Sequence, residues 1–117
     1  MKINIVQIGE FVHDFKAENI FILFGTGAPP ELVDFSIIID FDKKEDGLYF
    51  REGSKFIIHG KEYVVNKIGS IANENFHKLG HVAVYLNDKA ELLPGSIMMS
   101  PAEYPDFKVG DKFEIIY

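Results

Sequence analysis

The chain is written in short β-forming runs, none longer than eight residues and nearly all ended by glycine or another turn former. KINIVQI, NIFILF, FSIIIDF, KFIIH, KEYVVNKI, HVAVYLN, SIMMS and KFEIIY carry the β-branched and aromatic side chains that suit a pleated, half-buried surface. Turn signals separate them at Gly9, Gly25-Thr26-Gly27, Asp46-Gly47, Glu52-Gly53, His59-Gly60, Gly69, Gly80, Asn87-Asp88, Pro94-Gly95 and Gly110-Asp111. Many short strands punctuated this way predict an all-β fold, a compact closed or partly closed β barrel, with a sandwich as the alternative. No internal repeat, low-complexity tract or linker stands out, and residues 1–117 read as a single domain.

Two local patterns sharpen this. KFIIHGKEYVV predicts a hairpin with His59-Gly60 in or beside its turn. In the run that starts at His81, alternation puts Val82, Val84 and Leu86 on one face and His81, Ala83 and Tyr85 on the other. His81 therefore points away from the most apolar row. Helix is scarce. Residues 72–79 form the best segment, with Ser70 as its cap, Phe76 and Leu79 sharing a side, and Gly80 at the left-handed C-terminal position. Pro29-Pro30-Glu31-Leu32-Val33-Asp34 suits one further turn.

Composition removes several function classes. There is no cysteine, which excludes disulfides, iron–sulfur clusters and thiolate metal sites. Eighteen acidic residues against 12 basic ones give a net charge of −6. The densest basic stretch, Lys43-Lys44, is neutralised by Asp42, Glu45 and Asp46, so neither nucleic acid nor an anionic membrane surface is an expected partner. The N-terminal run is too short for a signal segment. The longest apolar stretch, 35–41, is broken by Ser36 and Asp40, so no direct membrane insertion and a cytoplasmic location are expected.

The polar candidates separate by context. His77 and His81 stand four apart, a spacing that puts two metal ligands on one helix face, but Gly80 ends the helix between them. A third ligand would have to be His13, His59 or a carboxylate, and no metal is expected. His77 reads as a solvated helix residue. His81 lies at a helix–strand junction, where reactive side chains are commonly presented, and a neutral imidazole there suits nucleophile or base chemistry. The alternative is a junction histidine bonded to a backbone carbonyl. Phe24-Gly25-Thr26-Gly27-Ala28-Pro29-Pro30 is glycine-rich but lacks the Gly-Lys-Ser/Thr of a P-loop; it reads as a turn that lets the backbone pass close to something. Asp40, Asp42, Glu45 and Asp46 read as a solvated, charge-mixed loop.

Taken together, these blocks resemble the glucitol/sorbitol-specific IIA component of the bacterial phosphotransferase system (PTS). The resemblance lies in Phe24, Gly25-Thr26-Gly27-Ala28-Pro29-Pro30-Glu31-Leu32 and Phe35, then Leu48, Gly53, Tyr63-Val64-Val65 and Ile68-Gly69-Ser70-Ile71-Ala72. It continues through Asn75, Leu79-Gly80-His81-Val82 and Leu93-Pro94-Gly95-Ser96, in order across most of the chain. The resemblance implies a compact β barrel and a phosphoryl relay without metal or organic cofactor. A histidine phosphocarrier protein would phosphorylate an imidazole, which would pass the group to the IIB domain of a sugar permease (IIB/IIC). The position matching the family's usual acceptor histidine is Ile39, and no histidine occurs between His13 and His59. Three readings follow: the acceptor is His81, the histidine inside a matching block; the chain is a non-catalytic or regulatory IIA-like binding module; or another histidine has taken over. Exposed strand edges would also allow a homo-oligomer.

Overall fold

The computed structural model describes residues 1–87, 89 and 91–117. Eight strands form a closed barrel in the order β1-β3-β2-β6-β7-β5-β4-β8. They are β1 (Lys2–Ile8), β2 (Ile20–Gly25), β3 (Ile37–Asp40), β4 (Lys55–Ile58), β5 (Lys61–Ile68), β6 (Val82–Tyr85), β7 (Ser96–Ser100) and β8 (Lys112–Ile116). Each lies within a run anticipated from the sequence or within one residue of it. Every strand is paired on both sides among the described residues, so edge-to-edge self-association has no edge to use. The turn expected at Asn87-Asp88 falls partly outside the described residues. No helix among them is long and apolar enough to cross a membrane.

The core follows from alternation. Each strand turns two alternate residues inward, from Ile3 and Ile5 in β1 to Phe113 and Ile115 in β8. Val82 and Val84 of β6 are fully buried with Leu86 just beyond, as their shared face requires. The β4–β5 hairpin closes with Ile58 opposite Lys61, and both turn residues take left-handed angles (His59 φ 51°, Gly60 φ 74°). This is the type I′ geometry that matches strand twist, and it explains why a glycine follows the histidine.

Chain order inside the barrel shows a duplication that the sequence reading did not find. The first half runs β1, a 3-10 segment (Val12–Glu18), β2, a crossover and β3; the second runs β5, helix α2 (Ala72–Leu79), β6, a crossover and β7. In both, the outer strand pairs antiparallel with the last one through a register shift, between Ile5 and Gln7 or between Val65 and Lys67. In both, the two inner strands are parallel. Gly9 N–H donates to Ser36 O (2.9 Å) and Phe11 N–H to Asp34 O (2.8 Å); Gly69 N–H donates to Ser96 O (2.7 Å) and Ile71 N–H to Pro94 O (2.9 Å). The halves are thus related by a shift of 60 residues at these bonds (9 to 69, 36 to 96) and of 61 between β2 and β6 (Leu23 to Val84). Over those strands and bonds the identities are only Ile8-Gly9 with Ile68-Gly69 and Ser36-Ile37 with Ser96-Ile97. That is too sparse to detect as a repeat.

Helix α1 (Pro30–Val33) is the single turn expected from its prolines and sits in the first crossover. The 3-10 segment was not anticipated. Helix α2 has the expected bounds and ends at Gly80 (φ 67°), but Ile71 rather than Ser70 occupies the N-cap and no side chain caps it. Its buried face is Ala72 and Phe76, while Leu79 is 51% exposed, so the expected Phe76–Leu79 face is corrected to i, i+4. Phe76 enters an aromatic cluster with Phe41 (4.7 Å between centroids), Tyr49 (4.9 Å) and Phe50 (5.0 Å). Tyr49 and Phe50 are buried but belong to no strand. Their backbone is satisfied by one side chain: Asn73 Oδ1 accepts from Tyr49 N–H (2.7 Å) and Phe50 N–H (2.8 Å), and its Nδ2 donates to Phe50 O (2.9 Å).

Removing that amide strands two donors and an acceptor away from water. Asn73→Ala should therefore destabilise the fold by about 2–4 kcal/mol in urea unfolding, and Asn73→Asp, which keeps the acceptor, by less. Tyr104 presents the reverse case. Its hydroxyl is buried without a partner, and burial raises its pKa to about 12. Because the folded value lies above the unfolded one, its contribution is complete below pH ~10 and lost as pH rises toward 12. Tyr104→Phe should leave stability unchanged or raise it by about 1 kcal/mol at neutral pH, and should remove part of the alkaline loss.

Candidate functional site

The site is built where α2 ends and β6 begins. Gly80 N–H donates to Phe76 O (2.8 Å), and the left-handed turn at Gly80 reverses the chain into β6. The following residue, His81, is half-buried and faces outward, as alternation requires. Its ring lies on Phe24 at 4.4 Å between centroids with the planes 31° apart. His81 Nδ1 is 3.2 Å from Leu23 O. A carbonyl can only accept, so Nδ1 carries the proton and Nε2 holds the lone pair. Nε2 makes no hydrogen bond among the described residues, and the one buried unpartnered side-chain polar atom among them is Tyr104 Oη, so Nε2 is not sealed from solvent. One nitrogen is anchored and the other is open.

Two glycines set this junction. An added Cβ at Gly25 would stand 2.6 Å from Leu79 O, and one at Gly80 would stand 2.7 Å from Gly25 N. What the Gly25-Thr26-Gly27 turn approaches is therefore the end of α2. Beside this contact opens a cleft of about 190 Å³ lined by Phe24, Ile39, Asp40, Lys43, Lys78 and Leu79 among others. His81 is the next residue after this lining and is not part of it. Ile39 is 1% exposed and packs in the barrel core.

The other histidines are held apart from this arrangement. His77 is half-buried rather than solvated, which corrects the sequence expectation. Its Nδ1 is 2.9 Å from Tyr49 Oη, which itself accepts from Lys44 N–H (3.0 Å). A hydroxyl that already accepts one bond still has its O–H to give, so a bond donated to Nδ1 would use both capacities of Tyr49. His59 Nε2 pairs with Asp111 Oδ2 at 2.9 Å, and His13 is exposed on the 3-10 segment. Among the described residues no three His, Cys, Asp or Glu side chains converge as metal ligands. Asp40, Asp42, Glu45 and Asp46 are all exposed, as expected, with Asp46 capping Leu48 N–H at 2.9 Å.

Sequence reasoning missed Asn73, Lys43 and Lys78. The lysines meet only because α2 is laid against the β3 end, where Lys43 Nζ reaches Lys78 O at 3.4 Å. Asn73 lies one turn before His77 and offered no distinguishing signal.

The fold is thus a closed eight-stranded β barrel with an imidazole anchored through one nitrogen at a strand head. The barrel itself is that of a PTS IIA component: a crystal structure of such a protein from Enterococcus faecalis V583 superposes with a TM-score of 0.91 over 100% of both chains, at 24% identity. The chain belongs to the family described as the PTS system glucitol/sorbitol-specific IIA component, whose model matches residues 1–114. Glucitol/sorbitol-specific EIIA components of Shigella flexneri and Escherichia coli strain K12 are each 28% identical over 115 residues, 96% of this chain and 92% of theirs.

Gly80→Ala tests the junction. A non-glycine residue in the left-handed region costs about 1–2 kcal/mol, and the contact with Gly25 adds to it. The variant should lose at least that much stability in chemical unfolding, and the NMR shifts of the His81 ring should move.

Proposed function

We propose that this IIA component carries the phosphoryl group on Nε2 of His81. The observation that carries this reading is the anchoring of Nδ1–H on Leu23 O, which leaves a lone pair directed away from that bond on a ring packed at a tilt against Phe24. In the proposed step, Nε2 attacks the phosphorus of the phosphocarrier's phosphohistidine in line. The carrier's N–P bond breaks, its electron pair returns to the carrier imidazole, and a new N–P bond forms on His81. The Leu23 carbonyl offsets the positive charge that the ring acquires as that bond forms. Fixing the ring before encounter removes orientational freedom that the reaction would otherwise have to overcome. No metal or organic cofactor enters the step. The same nitrogen then delivers the group to the IIB domain of a sugar permease, in the cytoplasm, with residues 1–117 acting as one domain. Choice of sugar belongs to the permease.

A second reading is favoured by Ile39. If the acceptor belongs at that position, this chain has an apolar core residue there, and the protein is a binding or regulatory IIA-like module. Incubation with phosphoenolpyruvate, enzyme I and the phosphocarrier separates the two. Acid-labile label on the protein that disappears in His81→Ala supports transfer through His81. Label that persists in the variant moves the acceptor to another side chain. An unlabelled parent protein that still binds the phosphocarrier supports the module.

A further inference from the structure

We infer that the face formed by the 3-10 segment and the first crossover is a docking surface for a positively charged protein partner with an apolar centre. Three phenyl rings gather there. Phe11 lies 5.3 Å from Phe35, and Phe15 lies 6.1 Å from Phe35, centroid to centroid. Phe11 and Phe35 are 38% and 40% exposed, and Leu32 of the same crossover is 41% exposed. Aromatic side chains in contact with each other and with water are the anchors that protein interfaces favour.

The fold does not demand these rings. The second half of the barrel builds the same backbone arrangement, with Ile71 N–H bonding Pro94 O as Phe11 N–H bonds Asp34 O. At the positions of Phe11 and Phe35 it carries Ile71 and Gly95. A barrel that closes with a glycine there has no packing need for a phenylalanine.

Charge selects the occupant. Glu10, Asp14, Glu18, Glu31 and Asp34 lie within four residues of those rings in sequence, all exposed, and none forms an ion pair among the described residues. Against them stand Lys16 and His13. An acidic rim around an aromatic centre repels a second copy of itself and an anionic bilayer, and it steers a basic surface to the patch. The surface is separate from His81, since Phe35 lies just before β3 whereas His81 lies beside Phe24, on the far side of β2 from β3. The inference does not depend on the phosphoryl reading.

The probe is a synthetic amphipathic helix of leucine and lysine, titrated into the isotopically labelled protein and followed by NMR and calorimetry. Amide shifts should concentrate on Phe11, Phe15 and Phe35. Phe11→Ser/Phe35→Ser and Asp14→Lys/Asp34→Lys should each weaken binding about tenfold or more, with Glu45→Lys/Asp46→Lys leaving it within about twofold. The readout is binding alone and needs no phosphoryl transfer, which keeps this test apart from the previous one. The inference is overturned by shifts centred elsewhere, by equal losses in all three variants, by equal binding of a leucine–glutamate helix, or by the absence of binding. Self-association through the patch, or binding to anionic phosphatidylserine vesicles that Phe11→Ser/Phe35→Ser abolishes, would assign it another occupant.

Discussion

Two pairs of backbone hydrogen bonds hold the crossovers against the barrel, and the rest of the structure is arranged around them. Each begins at a glycine, Gly9 or Gly69, whose N–H reaches a buried serine carbonyl, Ser36 O or Ser96 O. A Cβ at Gly9 would stand 2.3 Å from Val33 O and one at Gly69 2.2 Å from Pro94 O, so no larger residue permits the approach. These bonds bring each crossover back to the end of the outer strand, which is what lets β2 and β3, and likewise β6 and β7, run parallel.

The strands were legible because alternation is a local property. A run such as VAVY records its buried face in its own residues, whereas β3 and β7, buried on both faces over most of their length, read as unbroken apolar runs. The hairpin turn and the end of α2 were legible because left-handed angles nearly always call for glycine. What was not legible is what depends on distant chain. Spacing puts Leu79 on one side of α2 with Phe76, yet it stands over the Gly25 turn, 54 residues away, and borders a cleft. His77 reads as solvated until Tyr49, 28 residues earlier, is found hydrogen-bonded to it. Asn73 substitutes for a strand by satisfying Tyr49 and Phe50, a role no single-sequence pattern encodes. The duplication escaped for the same reason. Backbone bonds preserve it, and backbone bonds leave few constraints on side chains.

The duplication also bears on the site. Ile39 pairs with Ile5 across a strand pair whose counterpart matches Met99 with Val65. All four residues are buried and apolar, so position 39 is treated as ordinary core in both halves. An imidazole at 39 would place a polar group in one inner row and would need a partner there; isoleucine restores the row. His81 has no such counterpart. Leu23 pairs with Ile37 and Val82, whereas Val84 pairs with Ile97 and Phe21, which sets β6 against β2 with His81 matched to Ile20.

In a fold built twice, the scaffold is what the halves share and specialisation is where they part. Ser36 and Ser96, Gly9 and Gly69, and the inner rows are shared, and all of them hold the barrel closed. The halves diverge at His81 against Ile20, and at Phe11 and Phe35 against Ile71 and Gly95. Neither divergence is needed for closure. An exposed aromatic pair has no packing reason to persist in one half, and an imidazole bonded through one nitrogen alone has its second nitrogen unused by the fold. Both departures belong to strand ends beside β2, one before β3 and one before β6, where the scaffold leaves side-chain identity unconstrained.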